Sequence, residues 1–326
     1  MHEEPLGPDP ELRTAADPAG FAAHDPAKIE ELVIKPRPGW IAINWKELWG
    51  YRELLAFLVW RDVKVKYKQA ILGFAWAVFA PLISVSIYTL VFGRAGGFSK
   101  HIPPGVNSYA VFIFAGMIPW IMLSHAIGSG GLSLVSQQNL LTKIYMPRLF
   151  IPTSVLGGSL VDMTINFVVF ALMLLYFGVT PAWTVVFIPL LIVLTMLMGL
   201  GFALTLSAMT VTYRDLRFLI PFIVQVFMLV SAVAFPSTVL RAYPQLIYAN
   251  PIAGLISAWR VAVFEGWTMG MNVAPKSLPI DAVPPAIPFD ELHPYHFAYT
   301  VIFTLALVVF GLFFFRRTER RFADIA

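Results

Sequence analysis

The sequence predicts an all-α, polytopic membrane protein with six transmembrane helices and an N-terminal amphipathic helix in the membrane interface. Three observations carry that prediction. The 326 residues are 58% hydrophobic and only 13% charged, with a mean hydropathy of +0.73. Soluble domains carry about 25% charged residues, so water is not the main solvent of this chain. Six apolar runs approach the roughly 20 helical residues that a hydrocarbon core demands. Basic residues gather on alternate connections between those runs.

The first run shows the pattern. In "KVKYKQAILGFAWAVFAPLISVSIYTLVFG", Lys64, Lys66 and Lys68 lead into residues 71–92, a stretch of 22 without a charge. At ~1.5 Å per residue such a helix is about 33 Å long. Five more spans are expected at about 109–127, 150–177, 183–211, 218–235 and 297–315. These runs are too long and too evenly apolar for barrel strands, which alternate every second residue. In lipid a helix also satisfies its own backbone groups. No internal repeat is visible, and the absence of cysteine excludes disulfides, thiolate metal sites and cysteine nucleophiles.

Residues 1–42 differ in kind. The start, "MHEEPLGPDPELRTAADPAGFAAHDPAK", is rich in Pro, Ala and acid and has no apolar h-region. It is not read as a signal peptide but as a mobile tail. The expected organisation is therefore this tail, an interfacial helix over 43–70, and a transmembrane domain over 71–326.

With the N-terminus inside, the inner segments hold 14 basic residues, among them Arg61, Lys64, Lys66, Lys68, Lys143, Arg148, Arg214, Arg217 and Arg316. The outer segments hold five: Arg94, Lys100, Arg241, Arg260 and Lys276. This excess places both termini in the cytoplasm. Topology accounts for the charge of the basic band but not for what precedes it. In "KELWGYRELLAFLVWRDVKVKYKQ", Leu48, Tyr51, Leu54, Leu55 and Leu58 recur at helical spacing, with Lys46, Glu53, Arg61, Lys64 and Lys68 mostly opposite. Such a helix lies in the inner interface, its tryptophans at headgroup depth. It suits a protein that admits or gates something at the inner leaflet.

Within the six predicted spans the ionisable residues are His125 and Asp162. A proton-coupled carrier usually carries more. The chain has no G-x-x-x-x-G-K-[ST] loop, and "GRAGGFSK" at Gly93 has the wrong spacing and lies on the outer side. A pump of this composition takes its energy from another polypeptide. The inner connection "LSLVSQQNLLTKIYMPRLFIPTSVL" is where such a partner would dock. Residues 136–145 are expected to form a short helix, which Pro147 ends, and Pro152 opens the next span.

At this point the chain resembles a family. "ELLAFLVWRDVKVKYKQAILGFAWAVFAPL", "QQNLLTKIYMPRLFIP", "TYRDLRFLIPF" and "YANPIAGLISAWRVAVFEG" follow in order over about residues 40 to 320. Together they are similar to the membrane (permease) subunit of polysaccharide-exporting ABC transporters, the ABC-2 permeases of the O-antigen and teichoic-acid type. The resemblance implies a homodimer of six-helix subunits with two ABC ATPase subunits beneath, in the cytoplasmic membrane of a bacterium. It implies no catalytic residue, metal or cofactor on this chain, with ATP and Mg bound by the partner. The coupling helix would carry Gln138, Asn139, Lys143, Tyr145 and Arg148. The interfacial gate helix would present Arg61, Asp62, Lys64 and Lys68 to the ATPase or to anionic lipid. Short re-entrant helices around 250–267, with Asn250, Arg260 and Glu265, would narrow the outer exit. The N-terminal tail and the stretch 276–294, "KSLPIDAVPPAIPFDELHP", depart from the family pattern.

A lipid-linked polysaccharide fits this chemistry. Basic residues at the inner rim attract its diphosphate, and aromatic rings stack on sugars with little regard to their order, as they do on single-stranded nucleic acid. Candidate channel-lining rings are Phe74, Trp76, Phe79, Tyr88, Phe218, Phe222 and Phe227, each weighed against plain helix packing or lipid contact. Membrane lipids are expected partners and nucleic acid is not. Ser159, Asp162 and Asn166 share a face of the third span, and Asp162 must meet protein or water, because a lone carboxylate at mid-span costs about 2.5–3.5 kcal/mol. His125 reads as a hydrogen-bonded structural histidine, Arg260 and Glu265 as a pair within the chain or across a dimer, and Gly128, Gly130 and Gly131 as packing or loosening residues. Export of a drug or lipid, an integral-membrane glycan-modifying enzyme using His125 and Asp162, and a scaffold in a cell-wall assembly complex are the alternative functions.

Overall fold

In the computed structural model, residues 49–68, 75–102, 106, 108–138, 140, 146–240, 244–264 and 294–319 are described. The expected tail, Leu48, residues 276–293 of the departing stretch, Glu265 and Phe74 lie outside them. The protein is all-α and polytopic. Among the described residues, five helical segments are long and apolar enough to cross a membrane: Ala75–Ala95, Tyr109–Ser136, Phe150–Phe177, Trp183–Thr212 and Pro294–Glu319.

Helix α1 spans Arg52–Lys68, with Glu53 in its first turn and Lys66 and Lys68 in its last, complementing the helix dipole. Leu58 is buried, and Tyr51, Leu54 and Leu55 pack beside it against Leu134, Leu149 and Phe150. Phe57 and Trp60 are exposed. Helix α2, Ala75–Tyr88, runs on as a π-helix over Thr89–Ala95, three residues past the expected end. The extension is possible because Gly93 lies flat on Tyr109, where a Cβ would come within 2.7 Å of the ring. Gly97, at φ 71°, then turns the chain.

The second span is longer than the sequence predicts. Helix α3, Tyr109–His125, continues through a π turn, Ala126–Gly130, into α4, Gly131–Ser136. The expected stop near residue 127 does not occur. Gly130 and Gly131 are packing positions: a Cβ on Gly130 would stand 2.8 Å from that of Ala203, and one on Gly131 would stand 3.0 Å from that of Leu206. Thr210 donates to the Gly131 carbonyl at 2.8 Å, so the irregular turn keeps a backbone acceptor satisfied. This rod is the buried axis of the bundle, with Val111 to Ala115 wholly inaccessible.

Helix α5, Phe150–Phe177, has the predicted bounds and ends on Gly178 at φ 63°, whose N–H caps the Leu174 and Leu175 carbonyls. A 3₁₀ turn, Trp183–Phe187, leads into α6, Ile188–Thr212. The last helix, α10, Pro294–Glu319, overruns the predicted 297–315 at both ends. It packs along α6 at a glycine crossing: a Cβ on Gly201 would lie 2.7 Å from Leu307 Cγ, and one on Gly311 would lie 2.9 Å from the Gly201 carbonyl oxygen.

The fifth predicted span is shorter than expected. Helix α7, Leu216–Val230, has 15 residues and stops before Phe235. At ~1.5 Å per residue it is about 23 Å long, less than the roughly 30 Å core. Residues 231–235 turn instead, with Ala232 at φ 53°. The physical reason lies on the following helices, α8, Pro244–Tyr248, and α9, Pro251–Val263. Arg260 donates to the Val233 carbonyl at 2.8 Å and the Phe235 carbonyl at 3.4 Å, and Asn250 donates to Ser231 at 2.9 Å. Backbone released from the helix thus finds partners inside the protein. Helix α9 is buried on all sides.

Candidate functional site

Helix α1 packs against α5 where the latter exposes two small residues. Val59 rests on Gly157, and a Cβ there would collide with both of its methyl groups. Positions 62 and 66 lie one turn apart and therefore face the same way. Two polar clusters form along that face.

In the first, Arg61 donates to one Asp62 carboxylate oxygen through Nε at 3.0 Å and Nη2 at 2.7 Å. The same Nη2 donates to Gln137 Oε1 at 2.8 Å. Ser154 on α5 donates to the other Asp62 oxygen at 3.2 Å. One guanidinium thus ties α1 to the residue that follows α4, and one carboxylate ties it to α5.

In the second, Asp162 is 4% exposed and receives three groups. Lys66 Nζ lies 2.5 Å from Oδ2, the Tyr67 hydroxyl donates to Oδ1, and His125 Nδ1 lies 3.3 Å from Oδ2. Asn166 secures the same turn of α5, donating to the Asp162 main-chain carbonyl at 2.7 Å. Burial first, then the hydrogen bond to Asp162 and its negative charge, push the Tyr67 phenol above its ordinary value of 10.0, which keeps it a donor. A charge that would be costly in a span is thereby partnered by three side chains from two other helices, α1 and α3.

Both clusters border a cavity of ≈ 440 Å³, whose lining includes Asp62, Lys66, His125, Ser129, Ser133 and Asp162. A more open groove of ≈ 620 Å³ adjoins it, between α1 and Ser136, Gln137 and Leu140. Among the described residues no three His, Asp or Glu side chains gather as metal ligands would. The arrangement ties α1 to α5, to the residue that follows α4 and, through Asp162, to α3.

The structure divides the residues that the sequence grouped. Lys64 and Lys68 are exposed on α1, whereas Arg61 and Asp62 turn inward to each other and to Gln137. Position 61 shares its side of the helix with 64 and 68; what sets Arg61 apart is its guanidinium, which reaches round to Asp62 and Gln137. In the expected coupling segment α4 ends at Ser136, Gln137 turns, and Gln138 and Leu140 are again helical; Gln138 is exposed, and Asn139, Lys143 and Tyr145 lie outside the described residues. Arg148 donates to the Glu319 carbonyl at 3.1 Å, joining the start of α5 to the end of α10. Of the candidate rings, Trp76, Phe79, Phe218 and Phe222 are exposed. Tyr88 and Phe227 are packed against the core, Tyr88 donating toward Met228 Sδ at 3.6 Å.

Asn250 caps α9, its side chain accepting from the Ile252 N–H at 3.0 Å. Arg260 is fully buried, bound to the Val233 and Phe235 carbonyls and lying 4.2 Å over the Phe112 ring. The expected partner Glu265 lies outside the described residues; what Arg260 holds here is backbone and an aromatic face.

Lys66 and Tyr67 are the functional candidates that the sequence reading missed. The signal was available. A lone carboxylate in a span requires a donor, and α1 is the cation-rich helix beside it, with Lys66 four residues after Asp62.

Residues 53–264 match the family described as ABC-2 type transporter. The O-antigen export system permease protein RfbA of Myxococcus xanthus is 27% identical over 223 residues, covering 68% of this chain and 84% of that protein. Its namesake from Klebsiella pneumoniae is 25% identical over 289 residues, covering 87% of this chain and 100% of that protein. The polysialic acid transport protein KpsM of Escherichia coli is 23% identical over 217 residues, covering 64% of this chain and 80% of its own length.

Proposed function

The chain belongs to the ABC-2 type transporter family, and from that premise we propose that it is the membrane subunit of an ATP-driven exporter of lipid-linked polysaccharide. The observation that carries this reading is the joint one just given: the match begins in α1 and runs through α9, and relatives aligned over most of their length are named for O-antigen export and polysialic acid transport. The geometry agrees in kind. A polar link joins α1 to Gln137, at the head of the connection where a soluble partner would push.

The working assembly on this reading is two copies of the chain with two ABC ATPase subunits, which bind ATP and Mg. It sits in the cytoplasmic membrane of a bacterium with both termini inside, as the excess of basic residues on α1 and after α10 supports. ATP-driven closure of the partner moves the 137–145 connection and, with it, the helices it joins. Lys64 and Lys68, exposed on α1, face anionic headgroups or the ATPase. The chain contributes a path and no covalent chemistry.

The reading is tested by purifying the chain with its ATPase and adding candidate cargoes. Lipid-linked glycan is expected to raise ATP hydrolysis severalfold. Stimulation by an unglycosylated lipid or a drug, with none by glycan, would contradict polysaccharide cargo and favour the alternative exporter.

A lining role for the exposed rings has its own consequence. Trp76→Ala and Phe222→Ala are each expected to slow export by about two- to tenfold, since a ring contact is worth about 0.5–1.5 kcal/mol. Expression should stay near normal, because both side chains are more than half exposed, at 55% and 62%. Unchanged export by both variants would remove these rings from the path.

A further inference from the structure

Helix α1 is held differently from the spans. Of its 17 residues only Leu58 is buried, while Phe57, Trp60 and Val65 are exposed. Its apolar contacts, from Tyr51, Leu54, Leu55 and Leu58, lie in its first half, so the seat of its C-terminal end depends on the two polar clusters, and few buried contacts there mean low local stability. Both clusters border the same cavity of ≈ 440 Å³. The side chains of Lys66 and His125 are 47% and 39% exposed, so solvent reaches the donors that a release would free. On α5 Gly157, between Ser154 and Asp162, carries Val59, and the next residue, Gly158, has open space where a Cβ would stand. A surface without side chains gives α1 no ridge to lock against.

We propose that Asp162 is the catch of a releasable latch: it seats the C-terminal end of α1 on α3 and α5, and displacement of Gln137, passed through Arg61, frees that end in each transport cycle. Asp162 is then a positioning residue for coupling ATP hydrolysis to export, and the inference rests on the ATP-driven reading above. The mechanics follow from the spacing. Arg61 and Lys66 lie five residues apart on one rigid helix, so a pull on the first is felt at the second as shear across the Lys66–Asp162 pair. Discrete polar pairs of this kind make an element bistable rather than gradually deformable. His125 completes the device. It comes from α3 rather than α1 and lies 3.3 Å from Asp162, so the carboxylate keeps a partner when α1 departs.

The chain contains no cysteine, so introduced thiols are the only ones present. Val59→Cys combined with Gly157→Cys tests the latch directly. A Cβ at 157 lies 3.3 Å from the Val59 Cβ, close to the roughly 3.5–4.5 Å that a disulfide spans. In the full-length protein with its ATPase, oxidation is expected to cross-link the pair and lower export at least about tenfold, and reduction to restore it, because a pinned helix cannot switch. A second arm needs no transport. Leu58→Cys, buried under α1, is expected to react slowly with maleimide, and at least about tenfold faster when combined with Asp162→Asn or when ATP is added to the complex, as a locally opened element should.

Export by the cross-linked protein as fast as by the same protein with its thiols free would overturn the proposal. So would failure of the pair to cross-link, or equal labelling of Leu58→Cys with and without Asp162→Asn. If the reduced pair exports nothing, the labelling arm decides alone. Should the cysteine-free parent itself export no polysaccharide, the functional reading fails, while labelling in the Asp162→Asn background still reports whether Asp162 holds α1.

Discussion

Arg260→Ala is expected to destabilise the membrane domain by about 3–5 kcal/mol, lowering both the yield of folded protein and its melting temperature in detergent. The side chain is wholly inaccessible and donates to the Val233 and Phe235 carbonyls, in the segment where α7 stops and the chain turns. Each buried carbonyl left without a donor costs about 1–3 kcal/mol, and the void left over Phe112 adds to that. Arg260→Lys keeps a cation but offers one point of donation where the guanidinium serves two carbonyls, so it should fall between wild type and alanine.

A double-mutant cycle separates this account from a general loss of packing. A Cβ on Gly116 would stand 2.7 Å from Arg260 Nη2 and 2.9 Å from Nε. Gly116→Ala is therefore expected to cost about 1–3 kcal/mol in the wild type by pushing the guanidinium off its carbonyls. In the Arg260→Ala background the same change should cost almost nothing. Equal costs in both backgrounds would mean that Arg260 does not hold the turn. An unaltered melting temperature for Arg260→Ala would mean the same.

How much of this was legible in the sequence depended on what each residue answers to. The spans answer to lipid, and lipid asks only for length and apolarity. Hence α5 has its predicted bounds of 150–177 and α6, with its lead-in turn, ends one residue past the predicted 211. Errors fell where a distant residue replaces a helical hydrogen bond. The turn at 231–235 exists because Arg260, some 25 residues on, accepts the task of partnering its carbonyls. A run of Ser, Ala, Val, Ala and Phe carries no local sign of it. The rod 109–136 passes its glycines because Ala203, Leu206 and Thr210 pack against them, and in isolation three glycines in four residues read as a stop.

The candidate site was half legible for the same reason. That Asp162 needed a partner follows from the cost of a buried carboxylate. Which partner it has depends on α1 lying along α5, a packing choice set by Gly157. That Asp62 faces α5 is likewise a matter of packing, and the reach of the Arg61 guanidinium round to Asp62 and Gln137 is a choice of side-chain conformation that the helical pattern does not fix.

The central claim is that this chain is a conduit without an engine, driven by ATP hydrolysis in a separate subunit. It is tested most directly in sealed liposomes loaded with the purified chain, with and without the partner ATPase. A lipid-linked glycan added at the ATPase-bearing face is followed by its protection from an external glycosidase. Glycan is expected to become protected only when the chain, the ATPase and hydrolysable ATP are all present, and to stay accessible when any one is withheld. Translocation by the chain alone would contradict the account.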